Sequence, residues 1–413
     1  MSATAGTLLL GAARRKITPP LGVPLVGYPK PRPNTGVAHD LFVRAALFAQ
    51  AGSDRPAAAL LVLDTISLSA PLVERMRQTV AQALPGLPPR AVMIAAIHTH
   101  AGPRLYEELK DGQVVEPDPD VVELTLRAVL DASVAAWTDR AEVKARIGLT
   151  EVRLGVNRRI VDSQGSASNR WEDPEGLATG YFNPNVRFIV FDDVVTGRPR
   201  LILEHYGCHP VVGGQDNTLI SPDYPGYLVD RLEAVTGAPL AIHITGAAAN
   251  INPRDCGHRD VTKARFLGEA VADRVIECLD LTRPLALAPV LSVSEPLIFP
   301  PAPSALEHLA HRVRQTADGN QITSEVQVLR LGGLAFVSAP GELFAEIGVS
   351  IENLSPFPNP IIVSNADDAL GYLVTEAAWR EGAYERKLAP AADIEPRLLA
   401  VARKALARAA NPD

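Results

Sequence analysis

Short apolar runs bounded by polar or turn-forming residues recur along the chain and predict β-strands. Such runs occupy residues 8–13, 41–49, 57–63, 92–97, 141–154, 186–192, 200–205, 240–244, 335–338 and 361–364. Residues 141–154 alternate in polarity, whereas residues 92–97 do not, which is typical of a strand buried on both faces. The runs at 186–192 and 200–205 flank a turn and predict a hairpin.

Helical periodicity separates many of these strands. Leu72, Val73, Met76 and Val80 share one face of a predicted helix over residues 71–84. The same spacing predicts helices over residues 118–137, 225–235, 262–278, 343–351 and 395–409, and a short helix near residues 305–313. This alternation predicts an α/β fold of mixed β-sheets with flanking helices. We expect a single domain over residues 1–413, with a C-terminal helix at residues 394–410 packing on it.

Two long stretches lack periodicity. Residues 19–36 are rich in Pro and Gly, and a loop of this length inside a compact region predicts an ordered lid or cap over a site. Residues 162–184 are polar and predict a surface or lid loop.

Composition narrows the class of protein. Of 413 residues, 47% are hydrophobic and 21% are charged, as in ordinary globular proteins. The net charge of −7 gives no basic footprint for nucleic acid, and the apolar runs are too short to span a bilayer. No secretion signal is evident at the N-terminus, because its basic residues follow the apolar part. We therefore expect a cytoplasmic protein without stable membrane association, and an oligomer remains open.

Cysteine usage agrees with that compartment. Cys208, Cys256 and Cys278 are widely spaced and odd in number, so reduced thiols are expected rather than a disulfide framework.

The most informative motif is the stretch VMIAAIHTHAGP at residues 92–103. His98 and His100, at positions i and i+2 after a strand, point to the same face and could offer nitrogen ligands to a metal. A hydrogen-bonded histidine pair that closes a loop would show the same pattern, so the motif alone leaves both interpretations open.

Other predicted strands also end in residues that bind metals or react. They are His205 and His209, Glu342, and the segment at residues 367–372. Two histidines, a carboxylate and a water are sufficient for a hydrolytic zinc site. The chain contains no HExxH, P-loop, GxGxxG or GxSxG motif, so nucleotide binding and serine hydrolysis lack support. Asp64 also follows a strand, but anchoring of the next loop is its favoured role.

A set of short motifs in one order resembles a known family. The matching stretches are GAARRKITPPLGVPLVG at 11–27, IHTHAGP at 97–103, Asn157-Arg158, HPVVGGQDNTLISPDYPGY at 209–227, GAAANINP at 246–253, PGE at 340–342, and NADDALGYLVT at 365–375 with Tyr384-Glu385 behind it. Together they resemble the amino-terminal catalytic domain of the neutral/alkaline non-lysosomal ceramidases, from about residue 8 to residue 390.

This resemblance implies a neutral-ceramidase-like fold that holds one zinc ion per chain. The implied metal ligands are His98, His209, Glu342 and Tyr372. His100 would lie beside the metal and contact the substrate or the reacting water, and Arg158 would polarise or hold the scissile amide. His205, His243 and His258 have no such match and are expected to be structural or to contact the metal-binding residues without touching the metal. A second metal that uses His100 with Asp64 or Asp223 remains open.

Two departures from the family pattern bear on the substrate. The family's ceramidases carry serine in a Gly-Asp-X-Ser-Pro loop, whereas Asn252 stands at the matching place here. The chain also resembles a short bacterial-type member that lacks the C-terminal β-sandwich domain and an export signal. Both features favour a small soluble substrate over a membrane sphingolipid.

The resulting hypothesis is a zinc-dependent hydrolase that cleaves an amide, ester or lactone bond of a small soluble N-acyl-type substrate through a metal-bound water. His100 or a nearby carboxylate would take the proton, and Tyr372 or Arg158 would stabilise the oxyanion. Asn252 and the backbone of residues 246–250 would orient the polar end of the substrate. The alternatives are a true ceramidase, with an acyl groove formed by residues 19–36 and 162–184, or a non-catalytic metal-binding protein of the same fold.

Overall fold

The computed structural model describes residues 7–171, 173, 175–254 and 261–412. Cys256 and His258 lie outside this range. Nine strands of the described residues form the first sheet. Eight follow the order β8-β7-β6-β5-β1-β2-β3-β4, and Arg283–Leu285 pairs with β5. Their bounds are β1 Leu8–Lys16, β2 Phe42–Gln50, β3 Ala58–Leu63, β4 Val92–Ala96, β5 Ala141–Glu151, β6 Asn185–Asp193, β7 Pro199–Tyr206 and β8 Ala241–Thr245.

The second sheet has the order β9-β10-β11-β12, with Arg314–Thr316 paired to β10. Its bounds are β9 Val290–Phe299, β10 Gly319–Leu331, β11 Leu334–Ser338 and β12 Asn359–Val363. In both sheets, neighbouring strands run antiparallel except for the parallel pairs β3–β4, β7–β8 and β11–β12. The predicted mixed sheets and the predicted hairpin at β6 and β7 are confirmed.

Helices and short strand pairs complete the described chain. The α-helices are α1 Ala70–Ala83, α2 Pro119–Thr138, α3 Tyr224–Thr236, α4 Val261–Glu277, α5 Leu306–Leu309, α6 Ala345–Leu354, α7 Glu376–Glu381, α8 Tyr384–Lys387 and α9 Ile394–Ala410. The 3₁₀ turns are Pro89–Ala91, Leu279–Leu281, Pro303–Ala305 and Ala310–Arg312. The short pairs are Pro24–Leu25 with Arg32–Pro33, Gly36–Val37 with Leu219–Ile220, Glu108–Lys110 with Gln113–Val115, Gly155–Asn157 with Ile251–Pro253, Arg159–Val161 with Ala167–Asn169, and Glu342–Leu343 with Tyr372–Leu373.

The two sheets pack face to face, and helices cover their outer faces. In β3, Leu60 and Val62 point into the core between the sheets, where they share a cluster with Phe336 of the second sheet. Leu61 points outward to the layer of α1 and α2. Residues on both faces are therefore apolar, which explains why strands such as β4 show no alternation in sequence. Helices α3 and α4 cover the other half of the first sheet, and α6 and α9 cover the second.

The outer strands of the first sheet meet at their carboxyl ends. The Thr245 hydroxyl after β8 donates to the Ile97 carbonyl after β4 at 2.8 Å. The chain leaving β12 joins both ends, because Ser364 N donates to Thr245 O and Ala96 N donates to Asn365 O, each at 3.0 Å. The carboxyl ends of β4, β8 and β12 thus converge, and α/β sheets bind ligands at such ends. Among the described residues, no helix is long and apolar enough to cross a membrane.

Candidate metal centre

The turn after β4 sets the orientation of His98. This residue has a left-handed backbone conformation with φ of 71°, and its N–H donates to Thr65 O at 2.9 Å. Its ring Nδ1 lies 2.8 Å from the Ile66 carbonyl. Because a carbonyl only accepts, Nδ1 carries a proton and the lone pair is on Nε2.

His209 is held in the same way, three residues beyond β7. Its N–H donates to Ile251 O at 3.0 Å, and its Nδ1 lies 2.6 Å from the carbonyl of Ala248. Ala248 belongs to the small-residue loop after β8, so the close approach of that loop fixes the ring. A backbone carbonyl on Nδ1 is the usual way in which proteins orient a histidine that binds a metal through Nε2.

Glu342 brings a third acceptor to the same point. Its Oε2 lies 3.2 Å from Nε2 of His98 and 3.2 Å from Nε2 of His209. Since each Nδ1 already donates to the backbone, hydrogen bonds here would need a second proton on each ring. Burial lowers the pKa of His209 to about 4, which disfavours that proton at neutral pH. In their neutral forms the two rings direct Nε2 lone pairs at the carboxylate oxygen, and a bound cation would stabilise this arrangement.

His100 adds a third imidazole to the cluster. Its ring centroid lies 5.1 Å from that of His98 and 5.8 Å from that of His209, and the three rings offer nitrogen atoms within 4.8 Å of one another. Burial, reinforced by the neighbouring imidazoles, lowers its pKa well below the usual value. Among the described residues, its two buried nitrogens have no hydrogen-bond partner. Unpartnered buried nitrogens fit a site that could hold a metal ion.

A buried arginine adjoins the imidazoles. Arg158 donates from Nη2 to the Tyr372 hydroxyl and from Nη1 to Asn252 Oδ1, each at 3.2 Å. Tyr372 lies directly opposite Glu342 in a short parallel strand pair. The structure therefore brings together all the residues that the resemblance implied. Asn252 donates in turn to the Trp171 carbonyl at 3.2 Å, so both ends of its amide contact protein groups.

Glu385 is a site residue for which no role was predicted. It is fully buried and accepts from Arg158 Nε at 3.0 Å and from Arg159 Nη1 at 2.7 Å. Burial would raise the pKa of this carboxyl, but the two arginines outweigh that effect and hold its pKa below the usual range. Its place in the matched motif, directly after Tyr384, was the available signal. A glutamate in a short charged helix otherwise resembles a solvent-exposed residue.

Two solved structures with the same architecture are named as ceramidases. The neutral ceramidase from Pseudomonas aeruginosa superposes with a TM-score of 0.76 and 16% identity, covering 98% of this chain and 74% of that one. A ceramidase complexed with C2 superposes with a TM-score of 0.76 and 15% identity, covering 98% and 75% of the two chains. The chain has a neutral-ceramidase-like fold. No family model matches it, and no curated protein matches its sequence. The predicted resemblance is thus confirmed at the level of the fold.

In this neutral-ceramidase-like fold, the two aperiodic stretches lie against the centre. The Arg158 guanidinium lies 5.0 Å from the ring centroid of Trp171, which belongs to the predicted loop 162–184. Tyr384 bridges the aromatic side chains, with ring distances of 5.8 Å to Trp171 and 5.7 Å to Tyr372. Trp171 and Tyr384 are partly exposed, at 49% and 41%, and form an aromatic rim.

The stretch at residues 19–36 covers His100. The Tyr28 ring lies 5.0 Å from the ring of His100. Gly27, with φ of 102°, approaches so closely that a Cβ there would lie 2.6 Å from the imidazole. Only glycine fits this contact, and the geometry agrees with the predicted lid or cap.

Carboxylates considered for a second metal have other partners. Asp64 forms a buried two-oxygen contact with Arg44 at 2.7 Å and accepts from Phe42 N, as expected for a loop anchor. Asp223 accepts backbone hydrogen bonds from Gly213 and Tyr224.

Two of the histidines without a family match, His205 and His243, lie outside the group of three imidazoles. His243 lies 2.6 Å from a Glu204 oxygen. Among the described residues, neither His205 nor His243 belongs to the imidazole group.

An open cavity of about 450 Å³ lies next to the centre. Its lining includes Asn157, Arg159 and Glu346. Arg158, between the first two in sequence, faces the imidazoles instead, because alternate residues of an extended segment point to opposite sides. The cavity is therefore separate from the imidazole cluster.

Proposed function

We propose that the chain is a zinc-dependent hydrolase that cleaves the amide bond, or an ester or lactone bond, of a small soluble N-acyl-type substrate. The observation that carries the proposal is the convergence of two imidazole Nε2 atoms on one carboxylate oxygen, which lies 3.2 Å from each nitrogen, beside a buried arginine. An amide is favoured because the two solved structures described above are named ceramidases.

His98, His209 and Glu342 would hold the metal, with Tyr372 as the fourth ligand. When bound there, zinc supplies a Lewis acid that lowers the pKa of water and polarises a carbonyl. Oriented imidazoles and a buried carboxylate are suitable ligands for zinc in composition and charge. His100 offers a nitrogen close enough to be a further ligand, so the ligand set is part of the proposal.

His100 would act as the general base. Its lowered pKa keeps the imidazole unprotonated at neutral pH, so a ring nitrogen can accept a proton from the attacking water. The same proton can then pass to the leaving nitrogen, which would otherwise depart as an unstable anion.

Tyr372 and Arg158 would stabilise the oxyanion. Burial and the nearby Glu342 raise the pKa of the phenol well above the usual value, so it remains a hydrogen-bond donor. The Arg158 guanidinium contacts the phenol oxygen and adds positive charge where negative charge develops. Preorganised donors of this kind contribute about 3 kcal/mol to lowering a barrier.

Asn252 and the backbone of residues 246–250 would orient the polar end of the substrate. The amide of Asn252 already accepts from Arg158, so its effect on the substrate would be exerted mainly through the position of the guanidinium. Ceramide is the second candidate substrate, favoured by the names of the solved structures and by the aromatic rim of Trp171 and Tyr384.

Metal content and turnover test the proposal together. We expect about one zinc per chain by elemental analysis in the wild type. His209→Ala should lose the metal, and His39→Ala should retain it, because His39 pairs with Asp230 outside the cluster. The wild type should then hydrolyse members of a panel of N-acyl amino acids, lactams, lactones and a short-chain ceramide. Absence of metal from the wild type would exclude the proposed zinc-dependent mechanism. Bound metal without hydrolysis of any substrate would favour a non-catalytic metal-binding protein.

A further inference from the structure

Arg32 lies on the capping stretch and fastens two loops of the metal centre to each other. Its Nη2 donates to the His100 carbonyl at 2.8 Å. Its Nη1 lies within hydrogen-bond distance of the carbonyls of Gly214, Gln215 and Asn217, at 3.1, 3.0 and 2.7 Å. One guanidinium thus joins the loop that carries two of the imidazoles to the loop that follows His209.

The same side chain also stacks on the aromatic cover of His100. The Arg32 guanidinium carbon lies 4.8 Å from the Tyr28 ring centroid, and that ring lies 5.0 Å from the imidazole of His100. A further backbone bond, from Val26 N to Gly102 O at 3.2 Å, attaches the stretch to the histidine loop. Arg32 and Tyr28 therefore hold His100 through both its backbone and its ring.

His100 depends on this support more than the other two imidazoles do. His98 and His209 are each fixed by a hydrogen bond from Nδ1 to a backbone carbonyl. The nitrogens of His100 make no hydrogen bond to any described residue. Its orientation must therefore come from packing and from its own backbone, and the Arg32 contact lies on that backbone.

We propose that Arg32 is a positioning residue that fixes His100 for its role at the metal centre. A guanidinium can do this because it presents five donors in a rigid plane. A lysine ammonium is a single point on a flexible stem and would not hold both loops together. The inference rests on the proposed function for the role of His100, but the contact itself can be tested without catalysis.

The first measurement is the reactivity of His100 in the full-length protein. Diethyl pyrocarbonate modifies accessible imidazoles, and peptide mass spectrometry resolves His100 from His98. Losing a hydrogen bond from a charged donor should raise the rate at His100 about tenfold in Arg32→Gln. Arg32→Lys should show a smaller increase, and the rates at His98 and His209 should change little.

Arg330→Gln is the matched control. Arg330 likewise donates to backbone carbonyls, Gly332 O at 2.9 Å, Ala409 O at 2.8 Å and Ala410 O at 3.4 Å, and stacks on Phe357 at 4.9 Å. Its contacts lie on the second sheet and α9, so His100 should react as in the wild type. If Arg32→Gln fails to fold, the comparison of Arg32→Lys with the Arg330 control provides the test.

Zinc content and kinetics separate the two proposals. We expect Arg32→Gln to keep about one zinc per chain, since His98 and His209 are each anchored to a backbone carbonyl and Glu342 lies in a strand pair with Tyr372. Its kcat should fall with little change in KM. Unchanged His100 reactivity in Arg32→Gln would overturn the positioning role, even if the wild type proves to be a zinc hydrolase. If the wild type is metal-free and inactive but His100 still reacts faster in Arg32→Gln, the proposed function is wrong and the positioning contact is supported.

Discussion

Glu385→Gln tests how the arginines beside the metal centre are stabilised. The carboxylate is fully buried and pairs with Arg158 on one oxygen and with Arg159 on the other. Glutamine preserves the shape and one acceptor oxygen but removes the negative charge. Both guanidiniums would then remain buried, with the carboxylate of Glu381 still 3.2 Å from Arg159. Arg158 would keep only neutral hydrogen-bond partners, Asn252 and Tyr372, with the charge of Glu342 still nearby.

The expected loss follows from burial. Removing one partner of a buried ion pair costs about 3 to 5 kcal/mol, because an uncompensated charge remains in the interior. Since one acceptor oxygen survives, we expect a loss of about 3 kcal/mol in the free energy of unfolding. Glu381→Gln is the matched control, because it makes the same chemical change at a partly exposed partner of Arg159. Its side chain is 28% exposed. There we expect less than about 1 kcal/mol.

Urea denaturation of the wild type and both variants measures these losses by linear extrapolation. The pH dependence of the stability provides a second test, because its direction follows from the pKa of Glu385. Because the folded pKa of Glu385 is held below its unfolded value, its stabilisation is present above the unfolded pKa of about 4.3 and is lost as the pH falls through the folded pKa. The gap between wild type and Glu385→Gln should therefore narrow in acid. Equal, small losses in both variants at neutral pH would refute the reasoning.

Three further predictions concern packing, titration and metal binding. Gly11→Ala would place a Cβ 1.9 Å from the Ala136 carbonyl oxygen, so strand β1 and helix α2 must separate. The free energy of unfolding, measured in urea, should fall by about 2 kcal/mol. An unfolding midpoint equal to that of the wild type would contradict this close contact. Burial, with smaller effects from Arg187 and His243, lowers the pKa of His205 to about 3. The unfolded chain binds this proton more readily, so stability should be lost as the pH falls from about 6.5 towards 3, by about 3 kcal/mol between pH 7 and pH 4. His205→Asn should flatten that acid slope, and an unchanged slope would rule out this assignment. Zinc at one hundred times its dissociation constant should stabilise the wild type by about 2.7 kcal/mol and leave His209→Ala unchanged, as judged by thermal or urea unfolding.

Local pattern was sufficient for most of the secondary structure. The run at residues 92–97 is strand Val92–Ala96, and the helix expected at residues 395–409 is Ile394–Ala410. Such elements are predictable because the periods of strands and helices are set by neighbouring residues. Loop 162–184 was less predictable. Its polar composition predicted a surface or lid loop, but polarity alone does not say which surface a loop covers, and the stacking of Trp171 on Arg158 emerged only in the structure.

The candidate metal ligands could also be identified in the sequence, since His98, His209, Glu342 and Tyr372 stand in motifs that follow one another in the order of a known family. Their convergence was expected only through the resemblance to a family. Nothing in the spacing shows that a histidine after β4 meets one after β7, because these strands lie far apart in the sheet order.

The sequence by itself determined the elements, the apolar faces and the identity of the reactive side chains. The tertiary structure decided which strand ends meet, that Glu385 joins Arg158 to Arg159, and that Arg32 fastens the loops around His100. The physical reason is one of range. Periodicity and turn chemistry act over a few residues, whereas a buried charge finds its partner, and a guanidinium its carbonyls, only after two packed sheets have brought distant segments together.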